Sequence, residues 1–250
     1  GKCKFSDITV KLAEDFREYL MNATSISSVH KSKVTLSRNT SSKYFSLFRN
    51  ILRQAYKEQF LKINVSDYLD YIPREQAEIR QFLTMDEVRI LYNTPCVYDV
   101  LKNAAMFSIF TGLRFSDIYD LDWSHITTAP DGKPCIVKQI VKTRRNATIY
   151  ISDEALQFCG ERKGEGRVFP YLRKSMTKAP LHNWIKRSGI QKHITFHCFR
   201  HTNATLLASS GINIYTVKDQ LVHTHVNTTE IYAKLLDTNK RAAAEAITLR

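Results

Sequence analysis

The chain has 250 residues, enough to bury a full core and to make one large or two modest domains. Lys and Arg number 37 against 24 Asp and Glu, and the resulting net charge of +13 at pH 7 favours a polyanionic partner, because each neutralised phosphate releases condensed counterions. No apolar run approaches the roughly 20 residues that cross a bilayer, and the first residues lack a signal-peptide core, so a soluble protein with no membrane partner is expected. The five cysteines, Cys3, Cys96, Cys135, Cys159 and Cys198, are odd in number, scattered and without a CxxC pair. They argue against a disulfide framework or a zinc site and fit a reducing cytoplasm.

In chain order, residues 6–21 place Ile8, Leu12, Phe16 and Leu20 four apart, which predicts an amphipathic helix. A basic, irregular stretch, "SSVHKSKVTLSRN", carries Lys31, Lys33 and Arg38. A second helix is expected over 39–61, with Phe45, Phe48, Ile51, Leu52, Ala55 and Tyr56 on one face and Lys43, Arg49, Arg53 and Lys57 elsewhere. "YIPREQAEIRQF", 71–82, combines proline with polar residues and reads as a linker. A new unit then starts at Thr84, which with Glu87 forms a capping-box signature, and helices are expected through about residue 122. "KPCIVKQIVKTRRNATIYIS" alternates and is rich in Val and Ile, predicting a β-hairpin with Arg144, Arg145 and Asn146 at its polar middle. Beyond residue 153 the pattern is again helical, interrupted at "KGEGR", Pro170, Pro180 and Gly189.

Four features of the second unit carry chemistry. "FTGLRFSDIYDLDW" places Asp117 three residues after Arg114, on one helical face, which by itself describes a buried ion pair as well as a functional arginine. "TFHCFRHT" gives His197 and Arg200 the same spacing. The hairpin offers Lys138 and Lys142, four apart in a strand and therefore on one face. "LVHTHVNTTEIYAKL" supplies His223 and His225, a helix cap at Asn227 with Glu230 three residues later, and Tyr232, which taken alone is a packing residue.

Taken together, the order Arg, Lys, His-x-x-Arg, His, Tyr resembles the tyrosine recombinase or phage integrase family over residues 84–236. "TGLRFSDI", "FRHTNATLL" and "TTEIYAKL" are the specific parts, and the first 80 residues loosely resemble the family's core-binding domain. The resemblance implies a mainly α fold with a small antiparallel β-sheet: a helical core-type DNA-binding domain over 1–72, a linker over 73–82, and an α+β catalytic domain over 83–250 ending in an assembly tail, 237–250. It implies a site-specific recombinase or integrase that cuts and rejoins DNA through a 3′-phosphotyrosyl intermediate and integrates or excises a mobile element. Double-stranded attachment sites, a homo-tetramer on paired sites and accessory DNA-bending or directionality proteins would be its partners. Because the chain opens on Gly1 rather than Met, a processed or trimmed chain is expected, with an upstream arm-binding domain left as an open alternative.

The implied roles meet physical need. Arg114 and Arg200 would clamp the charged oxygens of a five-coordinate phosphorus with planar guanidinium forks. Tyr232 would be the nucleophile, His197 an acid/base, and His223 a donor to a phosphoryl oxygen. Lys142, favoured over Lys138 because its "KT" matches the family, would protonate the departing 5′ oxygen. Lys31, Lys33, Arg38, Lys43, Arg144 and Arg145 are the expected DNA contacts. No cofactor or metal is implied, in keeping with a sequence that has no P-loop. His201 and Thr202 would orient the phosphate-facing pair, although His201 serves equally as a capping residue. One departure stands out: members usually carry Gly where this chain has Val222, so either the turn is built differently or His223 is imperfectly placed.

Three rivals follow from the same residues. A type IB topoisomerase shares the tyrosine and arginines, but "HCFR" and the tyrosine segment argue against it. A catalytically silent DNA-binding protein would need only the charge, yet every nucleophile and phosphate-binding position is present. A metal site from His197, His201, His223 and His225 lacks the internal Glu of zinc hydrolases and would face arginine.

Overall fold

The computed structural model describes residues 3–24, 35–75, 81–162, 164–226, 229, 230 and 232. The chain forms two compact units, 1–78 and 79–250. No helix among the described residues is long and apolar enough to cross a membrane.

The first unit is helical. Helix α1, Val10–Asn22, is capped by Thr9, whose hydroxyl accepts from the Leu12 amide. A strict spacing of four drifts around a helix, and the predicted stripe is corrected accordingly: Ala13 and Leu20 are buried, with Phe16 partly buried between them, while Leu12 is exposed. Helix α2, Arg38–Lys57, buries Phe45, Leu52 and Ala55. Ile51 and Tyr56, expected on that face, are exposed, and Arg49, expected in solvent, is buried. Its guanidinium donates to the Ser66 carbonyl at 2.8 Å and stacks 3.7 Å from the centre of the Tyr71 ring. Arg49 therefore ties α2 to the segment 66–71. The next segment returns over α2, where the Ser42 hydroxyl donates to the Ile72 carbonyl.

The second unit opens as expected with helix α3, Met85–Asn93, whose Thr84–Glu87 capping box has both reciprocal bonds. Helix α4, Asp99–Thr111, is buried along nearly its whole length and ends at Gly112 in the left-handed conformation, φ 71°. The short helix α5, Phe115–Tyr119, leads to a three-stranded antiparallel sheet of β1, Ile126–Thr128, β2, Pro134–Gln139, and β3, Asn146–Tyr150, in that order. The hairpin is as predicted, with Lys138 opposite Ala147, and β1 adds an edge that its short sequence does not announce. Because β2 ends at Gln139, Lys142 lies in the turn, and the expectation that it shares a strand face with Lys138 is corrected. Helices α6, Asp153–Gln157, and α7, Ala179–Arg187, lead to α8, Phe196–Ser209, and α9, Ile214–Gln220.

Helix α8 is the axis of this unit. Four consecutive polar residues, 200–203, advance about 100° each around the helix, so their side chains leave in four directions. Arg200 reaches Gly112 and Leu221, His201 reaches Tyr232, Thr202 accepts from the Leu83 amide, and Asn203 donates to the Ile109 carbonyl. All four are buried, which a one-sided amphipathic helix would not allow. Thr202 thus anchors the chain entering α3 rather than serving the expected phosphate-facing pair.

Gly112 is required where α4 meets α8. Besides its positive φ, a Cβ there would stand 2.5 Å from Leu221 Cδ2 and 2.7 Å from Asn203 Oδ1. Gly112→Ala is expected to cost about 2–3 kcal/mol, combining left-handed strain with overpacking. Calorimetry should show the second unit melting several degrees lower; an unchanged melting temperature would contradict this packing.

Candidate active site

Arg114, the cap residue of α5, follows directly on the Gly112 turn, and its side chain is only 14% exposed. Burial pulls its pKa down, opposed by the charges of Asp117 and Tyr232. Its Nη1 stands 3.9 Å from Asp117 Oδ2, too far for a hydrogen bond, and among the described residues neither atom has a hydrogen-bond partner. The predicted ion pair is therefore a loose one, with donor capacity left over on a buried guanidinium.

Asp117 joins this arginine to the hairpin. Its Oδ1 accepts from the Val141 amide at 3.0 Å, and its carbonyl oxygen accepts from Lys138 Nζ at 2.8 Å. The buried carboxylate thereby ties Val141, in the hairpin turn that carries Lys142, to the start of α5. Lys138 is buried, and desolvation lowers its pKa, whereas Lys142 is exposed. The two lysines, indistinguishable by spacing, differ in place: Lys138 is bonded into the framework and Lys142 is accessible. Arg144 and Arg145 are exposed beside it, and in the first unit so are Arg38 and Lys43. Lys31 and Lys33, Asn227 and the tail 237–250 lie outside the described residues.

Arg200 is 3% exposed. Its Nη1 donates to the Gly112 carbonyl at 2.6 Å and its Nη2 to the Leu221 carbonyl at 2.5 Å. Desolvation first, then the like charge of Arg114, pushes its pKa down to about 9, so at neutral pH it still carries its charge. Tyr232 and Asp117 act the other way, which puts the phenol within electrostatic reach of both guanidinium groups.

Tyr232 is fully buried, its ring packed with Ala204, Ala208, Val217 and Leu221. Its hydroxyl meets His201 Nδ1 at 2.6 Å, and the His201 ring lies edge-on to that of His197, centroids 4.5 Å apart. His197 itself is exposed at the start of α8. His223 is buried, with Nδ1 2.9 Å from the Thr229 hydroxyl, so Thr229 fixes which way the imidazole faces. Thr229, the Gly112 carbonyl and the hairpin bond of Asp117 were not foreseen from the sequence. Only the glycine beside Arg114 hinted at any of them. Among the described residues no three His, Cys, Asp or Glu side chains are grouped to hold a metal ion.

The Val222 question is resolved by the backbone. After α9, the Val222 amide donates to Asp219 O and the His223 amide to Lys218 O, the paired bonds of a Schellman ending. The left-handed residue of that motif is Val222, φ 50°. The turn is built in the usual way, and valine carries the strain, held there because Leu221 binds Arg200 and His223 is bonded on either side.

The model of the phage integrase family matches residues 81–239, and that of the phage integrase SAM-like domain matches residues 1–71. The chain belongs to the phage integrase family. A tyrosine recombinase of Thermosipho africanus is 28% identical over 70% of this chain and 64% of its own length. Tyrosine recombinase XerC of Bacillus pumilus is 27% identical over 90% of this chain and 80% of its own length. Among solved structures, the XerH site-specific recombinase bound to a palindromic difH substrate superposes with a TM-score of 0.66 at 16% identity, covering 97% of this chain and 73% of that one. The fold is that of tyrosine recombinase core-binding and catalytic domains.

Replacing Val222 by glycine should relieve left-handed strain at some cost in unfolded-state entropy, a net gain of about 1 kcal/mol. For a chain of this size that corresponds to a melting temperature raised by about 2–4 °C. A loss of stability would show that the turn does not need a left-handed residue.

Proposed function

We propose that this chain is a site-specific DNA recombinase that cuts and rejoins strands through a 3′-phosphotyrosyl intermediate at the attachment sites of a mobile element. The observation that carries the reading is the convergence of Tyr232 with two buried guanidinium groups, one of which, Arg114, has a hydrogen-bond donor facing no partner among the described residues. Such a pocket calls for an anion with several oxygens, and a tyrosine beside it supplies a nucleophile. Arg200, held from behind by two carbonyls, is pre-oriented and needs no rearrangement as charge develops on the phosphoryl oxygens.

In the proposed reaction the Tyr232 oxygen attacks phosphorus as its O–H bond breaks. The P–O5′ bond breaks in turn, and the departing oxygen takes a proton from Lys142, exposed in the hairpin turn one residue after Val141, whose amide donates to Asp117. His223, oriented by Thr229, donates to a non-bridging oxygen, and His197 at the exposed start of α8 serves as acid/base. Since the phosphotyrosyl ester keeps the energy of the broken bond, a free 5′ hydroxyl can reverse the step and religate. Arg38, Lys43, Arg144 and Arg145, exposed on the two units, with Lys31 and Lys33, would neutralise backbone phosphates on either side. Strand exchange between two sites calls for four protomers, and the tail 237–250 together with accessory DNA-bending proteins would govern that assembly.

The test begins with a library of nicked duplexes of random sequence, from which denaturant-stable protein–DNA adducts are recovered and sequenced. Wild-type protein should enrich a defined site, and Tyr232→Phe should bind that site while forming no adduct. Arg114→Ala should form adducts about 10²–10³-fold more slowly. Adducts persisting in Tyr232→Phe would assign the nucleophile elsewhere, and full binding without any adduct in wild type would leave a DNA-binding protein.

A further inference from the structure

We propose that His201 is a catalytic residue of this active site, the group that accepts the Tyr232 proton as the tyrosine oxygen attacks phosphorus. The inference rests on the reading of Tyr232 as the nucleophile and adds a base in direct contact with it. A phenol has an ordinary pKa near 10, so at neutral pH the attack needs somewhere for the proton to go. The structure puts an imidazole nitrogen there: His201 Nδ1 stands 2.6 Å from the Tyr232 hydroxyl, within the range of a direct hydrogen bond. Neither partner can drift away easily. His201 leaves the buried middle of α8, and the tyrosine ring is gripped by Ala204 and Ala208 one and two turns further along the same helix and by Val217 and Leu221 of the α9 end.

Around this pair lie His197 and Arg200 from α8 and Arg114 from the start of α5, with Asp117 paired to Arg114. The tautomer that carries its proton on Nε2 leaves Nδ1 to accept from the Tyr232 hydroxyl. As the phenolate forms, the same guanidinium groups stabilise it. The step balances: the tyrosine O–H bond breaks, an N–H bond forms on Nδ1, the tyrosine oxygen bonds to phosphorus, and the 5′ oxygen leaves with a proton from Lys142. On religation the proton returns from Nδ1 to the tyrosine oxygen.

The discriminating variant is His201→Asn, which places an amide close to the Nδ1 position and preserves a hydrogen bond but no basic nitrogen. Its rate of adduct formation is measured on a nicked duplex recovered with wild-type protein as above, between pH 6 and 10. The variant should melt and bind DNA as wild type does but react about 10²-fold more slowly at pH 7. The deficit should shrink as pH rises and hydroxide competes with the missing imidazole as proton acceptor. A duplex with sulfur in place of the bridging 5′ oxygen, whose thiolate leaves without a proton, should rescue Lys142→Ala and not His201→Asn. Wild-type rates in His201→Asn, an equal deficit at every pH, or rescue by the sulfur substrate would overturn the proposal.

A second measurement is independent of DNA and of that variant's folding. In 15N-histidine NMR spectra of the full chain, Tyr232→Phe should shift one Nδ1 resonance and its titration; unchanged histidine spectra would overturn the proposal. Failure of wild-type protein to form adducts on any duplex would instead overturn the recombinase reading beneath it.

Discussion

A guanidinium removed almost entirely from water sets the terms for the second unit. Arg200 donates one nitrogen to the carbonyl that ends α4 and another to the carbonyl that ends α9, so a single charged side chain ties three helices at their junction. Taking a charge out of solvent is costly, and those carbonyls offset the cost only while both helix ends stay where they are. That requirement explains two departures from ordinary backbone. Gly112 is left-handed and has no room for a side chain, because its carbonyl must face Arg200 while Leu221 and Asn203 crowd its other side. Val222 accepts a conformation that β-branched residues avoid, because the carbonyl before it is committed to the same guanidinium.

From that junction the site is assembled outward. Arg114 follows directly on Gly112 and Leu113, and Asp117, loosely paired with it, accepts from Val141 in the hairpin turn that carries Lys142. On the other side His223 follows Val222 directly, and Thr229 fixes its ring. The placement of both arginines and of His223 thus follows from the way α4 and α9 end against Arg200 of α8. The first unit uses the same device on a smaller scale, with Arg49 buried between the Ser66 carbonyl and the Tyr71 ring.

The residues proposed for the site stand out in the sequence because their chemistry is distinctive and their order along the chain is not that of a packing pattern. The Thr84–Glu87 box, the alternation around Ile136 and Ile149, and the three-residue spacings of Arg114 with Asp117 and His197 with Arg200 are local features, and each appears in the structure as a local element. The mainly α fold with its small sheet follows from those periods. Composition likewise determined that the surface is basic.

What periodicity could not decide is which side of an element meets the core. Leu12 and Ile51 are exposed and Arg49 is buried because packing partners distant in sequence select the face. The helix after His197 reads as apolar with a polar start, yet it is buried on every side, and only the surrounding elements turn Arg200, His201, Thr202 and Asn203 to four different partners. Lys138 and Lys142 look alike on paper; the end of β2 at Gln139 and the carbonyl of Asp117 separate a framework lysine from an accessible one. The meeting of His201 with Tyr232 spans 31 positions of sequence, a distance that no local pattern encodes and that the fold closes to 2.6 Å.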